Sequence, residues 1–264
     1  MSQPRFDPVT ADGGERGRSP WWGVHVARYR FALPYVKEDC RLLDIACGTG
    51  YGLAMLQARA RSVVGADIDW QTARQALDEV RGGRPAAVVL ADGRRLPFRD
   101  ASFDLITSFE TIEHMEERGR FAAELRRALA PGGLCIISTP NANYTRPVNG
   151  RPLNPHHIYE YRPEELLAEL RPHFGEVELL GQTLDARFRM SPFLDDQRRL
   201  PRDLGTRAQL LLWRVLNKLP PAVHDPLSRL AWGHPLIPQE TDYVFDRASV
   251  EGAPVLVALC RTRT

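Results

Sequence analysis

The run LLDIACGTGYG at residues 42–52 restricts the fold of this chain more than any other stretch. A short apolar segment closes on Gly48, Gly50 and Gly52, and a helical pattern follows at once over Tyr51–Ala60. Glycines at such a junction allow positive φ and let the backbone approach a ligand closely. A strand that turns sharply into a helix is half of a βαβ unit, so it calls for parallel neighbours covered on both faces.

Those neighbours are legible. Short apolar strands are predicted at Arg41–Ala46, Ser62–Ala66, Ala86–Leu90, Phe103–Ser108, Leu134–Ser138, Val177–Leu180 and Pro254–Cys260. Helices are predicted over Trp21–Val36, Gln71–Val80, Arg118–Ala130 and Pro163–Leu170. The pattern is that of an α/β, Rossmann-like, seven-stranded and mostly parallel sheet. Residues 1–20 are polar and rich in Gly and Pro, and read as a loose arm. The core is expected over 21–182, an insertion over 183–253 with helices at Leu204–Leu219 and Pro221–Trp232, and the final strand within 254–264.

Composition excludes some classes. Net charge is +2 over 264 residues, and the pI of 8.4 is too balanced to argue for a dedicated nucleic-acid binder. Cys40, Cys47, Cys135 and Cys260 show no metal-site or disulfide spacing. Free thiols in a reducing cytoplasm are expected, with no signal peptide and no membrane span.

Three acidic positions sit where the strands end. Asp44 lies four residues before Gly48, where a carboxylate would repel a pyrophosphate but suits an ammonium or sulfonium. The third glycine of a GxGxxG dinucleotide loop is missing, because Leu53 stands there. Both points disfavour a nicotinamide-dependent oxidoreductase. Asp67, in VVGADID, ends the second strand 19 positions after Gly48, a spacing that suits ribose hydroxyls. Ile68 follows as a surface for a base, and Asp69 reads as a helix cap. Asp92 and Gly93 close the third strand. They are read either as contacts to an adenine edge or as a plain turn.

LLDIACGTGYG, VVGADID, ADGRRLPFRDASFDLITSFETIEHM and LRRALAPGGLCIISTPN resemble successive motifs of class I S-adenosylmethionine (SAM)-dependent methyltransferases. The resemblance implies a sheet whose last strand is antiparallel and inserted between its neighbours, and SAM as cofactor. It places Asp44, Ala46, Gly48 and Gly50 at the methionine end, Asp67 at the ribose, Asp92 and Gly93 at the adenine, and Phe109 near the methyl group. HVARYRFA resembles the leading helix of a bacterial subgroup in which Arg28 and Tyr29 reach the SAM carboxylate. For Tyr29, core packing is the alternative.

SFETIEHM adds Glu110, Glu113 and His114. The i, i+3, i+4 spacing predicts three ligand-type side chains on one helical face. His156 and His157 follow the fifth strand in STPNANYTRPVNGRPLNPHHIYEY. ExxEH with a later histidine resembles two methyltransferase groups, one making ubiquinone and one acting on the 3′-terminal ribose of small RNAs. The resemblance implies a divalent metal (Mg, Mn, Fe or Zn) on Glu110, Glu113, His114 and His157. The alternatives are His114 as a metal-free general base, beside Glu110 as a second catalytic group, acids that merely complement a helix start, and ordinary loop histidines.

The expected activity is methyl transfer to a hydroxyl of a small molecule such as a sugar, glycoside or secondary metabolite. An amine acceptor, a terminal RNA ribose, and a SAM-binding subunit without catalysis are the alternatives. The insertion is expected to set acceptor specificity, to act as a lid or to form a homodimer contact, and Trp21, Trp22, Trp213 and Trp232 are read either as lining an acceptor pocket or as filling the seam between insertion and core.

Overall fold

The structure, a computed structural model, describes residues 20–188 and 204–262. All but the last residue of the expected N-terminal arm therefore lies outside the described residues, as does the 189–203 stretch of the insertion.

The chain alternates strands and helices as its periodicity demands. The strands are β1 (Arg41–Ile45), β2 (Ser62–Asp67), β3 (Ala86–Leu90), β4 (Phe103–Phe109), β5 (Leu129–Pro140), β6 (Glu176–Leu184), β7 (Tyr243–Asp246) and β8 (Val255–Arg261). The helices are α1 (Pro20–Ala32), α2 (Tyr51–Gln57), α3 (Trp70–Glu79), α4 (Arg118–Ala128), α5 (Ala142–Thr145), α6 (Pro163–Leu170), α7 (Leu204–Leu216) and α8 (Pro221–Trp232). All strands join one sheet in the order β3-β2-β1-β4-β5-β8-β6-β7. The pairs β1–β2, β2–β3, β1–β4 and β4–β5 are parallel. The last strand, β8, is antiparallel to both β5 and β6 and sits between them, as expected.

Eight strands form where seven were predicted. The extra one, β7, is a four-residue edge segment inside the region read as helical insertion. Several boundaries also moved, most of all at the start of β5. The helix predicted to reach Ala130 stops at Ala128, and β5 starts at Leu129, opposite Phe103. Leu129 is almost wholly buried, and the strand conformation inserts its side chain into the core, so burial overrides helix propensity.

Both faces of the sheet are covered, and strand alternation sorts the residues between them. Leu43, Ile106, Cys135, Ile137 and Leu256 join Phe121, Leu125, Leu166 and Leu170 of α4 and α6 in one cluster. Leu42, Leu105, Ile136 and Val257 join Tyr29, Leu53, Leu56 and Ala76 of α1, α2 and α3 in the other. The four cysteines are buried free thiols, and burial raises their pKa values. No helix among the described residues is long and apolar enough to cross a membrane.

Two compact units divide the chain. The larger takes Arg28–Gln182 and Phe245–Thr264 and holds nearly all of the sheet. The smaller takes Thr183–Val244 with the described start of the chain up to Ala27. Its own core is a seam of Leu210, Trp213, Leu216 and Leu236 with the partly buried Trp232.

Candidate active site

Every candidate site residue belongs to the larger unit, and most sit at the C-terminal ends of β1 to β5, the edge where open parallel sheets bind ligands. The loop after β1 alternates into the left-handed region at Ala46 (φ 55°), Gly48 (φ 57°) and Gly50 (φ 85°). The glycines serve different ends. A Cβ on Gly48 would meet nothing within 4 Å, so the loop backbone is open to a ligand there. A Cβ on Gly50 would fall 2.6 Å from the Ala76 Cα, and one on Gly52 would fall 2.0 Å from the Tyr29 ring. These two glycines are demanded by packing. Between Gly48 and Gly50 the Thr49 hydroxyl is buried with no partner among the described residues, a donor that sequence reasoning missed.

Asp67 is buried and ties the loop to the next turn. Its carboxylate accepts from the Gly48 amide at 3.1 Å and the Asp69 amide at 2.9 Å. Asp69 caps α3 through the Thr72 amide at 2.8 Å, as predicted. Ile68, half exposed at 51%, stands beside them.

Asp44 lies beneath the loop with no exposed surface. It accepts from the Thr107 hydroxyl at 2.6 Å and the Tyr29 hydroxyl at 3.1 Å. Burial, followed by a smaller push from Asp67, lifts its pKa from 3.8 to about 7 against those two hydrogen bonds. Tyr29 thus combines the roles of packing and polar anchor. Its ring meets Phe109 edge-on at 4.9 Å and Tyr51 at 5.4 Å. The buried Phe109 is therefore part of an aromatic cluster on α1 and α2.

Arg28 is also buried. Its Nε donates to Gln182 at 2.8 Å, and its guanidinium lies 3.6 Å from Glu110. Asp92 is clamped by Arg94, which donates to both of its oxygens, the shortest contact being 2.7 Å. That pairing holds the Asp92 carboxyl below its usual range. A Cβ on Gly93 would strike Phe121 at 2.7 Å, so this glycine lets α4 pack.

The predicted helical face carrying Glu110, Glu113 and His114 does not form. Glu110 has φ 51°, and only a single 3-10 turn, Ile112–His114, follows it. The left-handed step turns the Glu110 side chain toward Ser138, whose hydroxyl donates to it at 2.9 Å, and toward Arg28. Glu113, His114 and His157 do meet: one ligand atom from each lies within 4.8 Å of the others. Three of the four predicted metal ligands converge, and Glu110 stands outside the cluster.

The second layer of this cluster is ordered. Glu113 is fully buried. One of its oxygens accepts from Thr139 at 3.0 Å, and the other, Oε1, has no hydrogen-bond partner among the described residues. Burial and then the nearby Glu110 raise its pKa well above the carboxylate range. The His114 Nδ1 donates to the His156 carbonyl at 2.7 Å. The His157 Nδ1 lies 2.6 Å from Glu160, and its Nε2 lies 2.9 Å from Asn154. The Asn154 oxygen accepts from the His156 amide, so the Asn154 amide nitrogen faces His157. Each imidazole therefore keeps its lone pair on Nε2. Glu160, Thr139 and Ser138 escaped the sequence reading. Their one signal was polarity inside apolar or aromatic runs.

Residues 43–137 match the family model described as a methyltransferase domain. A "Probable S-adenosylmethionine-dependent methyltransferase" of Mycolicibacterium smegmatis is 37% identical over 60% of this chain and 60% of its own length. Residues 43–137 thus carry a methyltransferase domain, and the chain is similar to SAM-dependent methyltransferases. A 2-methyl-6-phytyl-1,4-hydroquinone methyltransferase of Synechocystis is 31% identical over 62% of this chain and 50% of its own. The chain spans 60% or less of the length of these curated relatives. A chain from the complex of the Haloferax volcanii Trm112 methyltransferase activator with a methyltransferase shares the fold, with a TM-score of 0.60. It is 18% identical and covered completely on both sides.

Proposed function

We propose that the protein moves the methyl group of SAM to a hydroxyl oxygen of a small molecule, assisted by a divalent ion on Glu113, His114 and His157. The observation that carries this reading is the buried, unpartnered Oε1 of Glu113 beside two imidazoles, each oriented through its Nδ1. A buried carboxylate beside a second acid is costly without a cation. Histidines tied at Nδ1 by a carbonyl or carboxylate are arranged as ligands are in metal sites. One oxygen and two nitrogens suit Mn, Fe or Zn at least as well as Mg.

SAM at the loop is supported by the open space at Gly48, by the Thr49 hydroxyl without a partner among the described residues, and by the half-exposed Ile68 beside Asp67 at the end of β2. When bound, it supplies an electrophilic methyl for in-line displacement. An ion, when bound, supplies Lewis acidity that lowers the pKa of an acceptor hydroxyl. Glu113 neutralises charge, His114 and His157 orient, and Arg28 holds Glu110 away from the cluster. The Synechocystis relative is named for a hydroquinone, a small molecule that carries hydroxyls. A second reading keeps His114 as a metal-free base, because its Nδ1 tie leaves Nε2 to take the proton.

The test is ion content and SAM affinity of the purified protein beside Glu113→Ala and His114→Ala. A near-stoichiometric ion, lost in both variants with SAM affinity kept, is the expected result. Absence of any ion after adding Mn, Zn or Mg rejects the metal and leaves the base.

A further inference from the structure

The helices of the smaller unit present a surface that the SAM loop and the histidine cluster do not use. A surface helix normally turns one apolar stripe inward and a polar face outward. α7 has an inward stripe, Leu210, Trp213 and Leu216, and a second stripe facing out. Leu204, Leu211, Leu212 and Val215 are all exposed, Leu211 to 64%. At about 100° per residue, Leu204, Leu211 and Val215 fall within roughly 40° of one another. Arg207 and Arg214, also exposed, flank this stripe on one side, about 40–60° from Leu211. From Leu204 to Leu219 the cations are Arg207, Arg214 and Lys218, and no carboxylate occurs. α8 adds Val223, Leu227 and Leu230 at i, i+4 and i+7, all exposed, Leu230 to 87%. The Trp213–Trp232–Leu236 seam couples the two helices.

Single exposed leucines are ordinary, whereas an outward stripe along two coupled helices, edged by charge of one sign, is not. We infer that this helix pair docks on an anionic bilayer surface. The apolar stripes enter the headgroup–acyl boundary, and Arg207, Arg214 and Lys218 meet lipid phosphates while their stems lie along the apolar edge. Neither helix spans: α7 has 13 residues and α8 has 12, against the ~20 that a crossing needs. A second copy is a poor occupant. A two-fold contact through α7 sets its cation row near the same row of the other copy, with no carboxylate on that helix to compensate. This inference does not depend on the acceptor or the ion proposed above.

The experiment is co-sedimentation of the full chain with vesicles of phosphatidylcholine alone and of phosphatidylcholine mixed with phosphatidylglycerol. Binding is expected on the mixed vesicles and falls as salt rises. Arg207→Gln with Arg214→Gln weakens it roughly 25-fold, about fivefold per charge. Leu211→Asp with Val215→Asp abolishes it, with thermal melting unchanged because both sites are exposed. The inference is overturned if neither vesicle binds or if binding ignores lipid charge and salt. It is also overturned if the protein is a dimer in solution that Leu211→Asp converts to monomer.

Discussion

Replacing Asp44 with Asn tests whether the carboxylate beneath the glycine loop is a cost to the fold. Asp44 has no exposed surface, and burial lifts its pKa from 3.8 to about 7. Between those values the folded chain holds a proton that the unfolded chain has released, so stability falls as pH rises through the window and levels off above about 7. At ~1.4 kcal/mol per pKa unit the full effect is about 4 kcal/mol, of which roughly 3 kcal/mol develops between about pH 5 and pH 8. Asn keeps the shape. Its oxygen accepts from Thr107, and its amide donates to the Tyr29 oxygen once that hydroxyl rotates. Urea unfolding of both proteins without SAM, over that pH range, gives the result as a difference between two curves, which cancels shared titrations such as that of Glu113. The variant is expected to gain on the wild type as pH rises, by a few kcal/mol at the alkaline end. A difference that stays flat with pH, or a variant that loses ground above neutrality, refutes the reasoning.

Other substitutions probe separate links. Gly52→Ala drives a methyl to 2.0 Å from the Tyr29 ring; overpacking of that kind costs about 1–3 kcal/mol, read from the urea midpoint. Phe121→Ala empties a wholly buried site between α4 and the sheet and is expected to cost about 3–5 kcal/mol in the same assay. Glu113→Gln removes a buried carboxyl whose pKa is already raised by burial; the ion-free protein should melt no lower near neutral pH, while elemental analysis finds its ion lost. Arg94→Ala breaks a pair whose members are both 32% exposed, so the urea midpoint should barely move, and salt should shrink the effect.

The sequence by itself determined the framework. Short continuous apolar runs, separated by helical runs and glycine turns, call for a mostly parallel sheet covered on both faces, and Leu42 and Leu43 already show the two faces in adjacent residues. It also placed Asp69 correctly as the cap of α3, because that role depends on local backbone geometry at a helix start. What it left open were positions settled by distant neighbours. Gly52 and Gly93 looked like ligand-facing glycines or turns, yet their missing side chains make room for Tyr29 and Phe121, at separations no local pattern encodes. Asp44 reads as a ligand contact until Thr107 and Tyr29 are seen to enclose it. Glu110, Glu113 and His114 fit a helical spacing, but one left-handed residue and a single 3-10 turn send Glu110 to Arg28 and leave Glu113 with His114 and His157. Only the tertiary structure decided that division, since the partners come from β5, from the loop after it and from α1, and their fields and packing choose the rotamers that spacing leaves open.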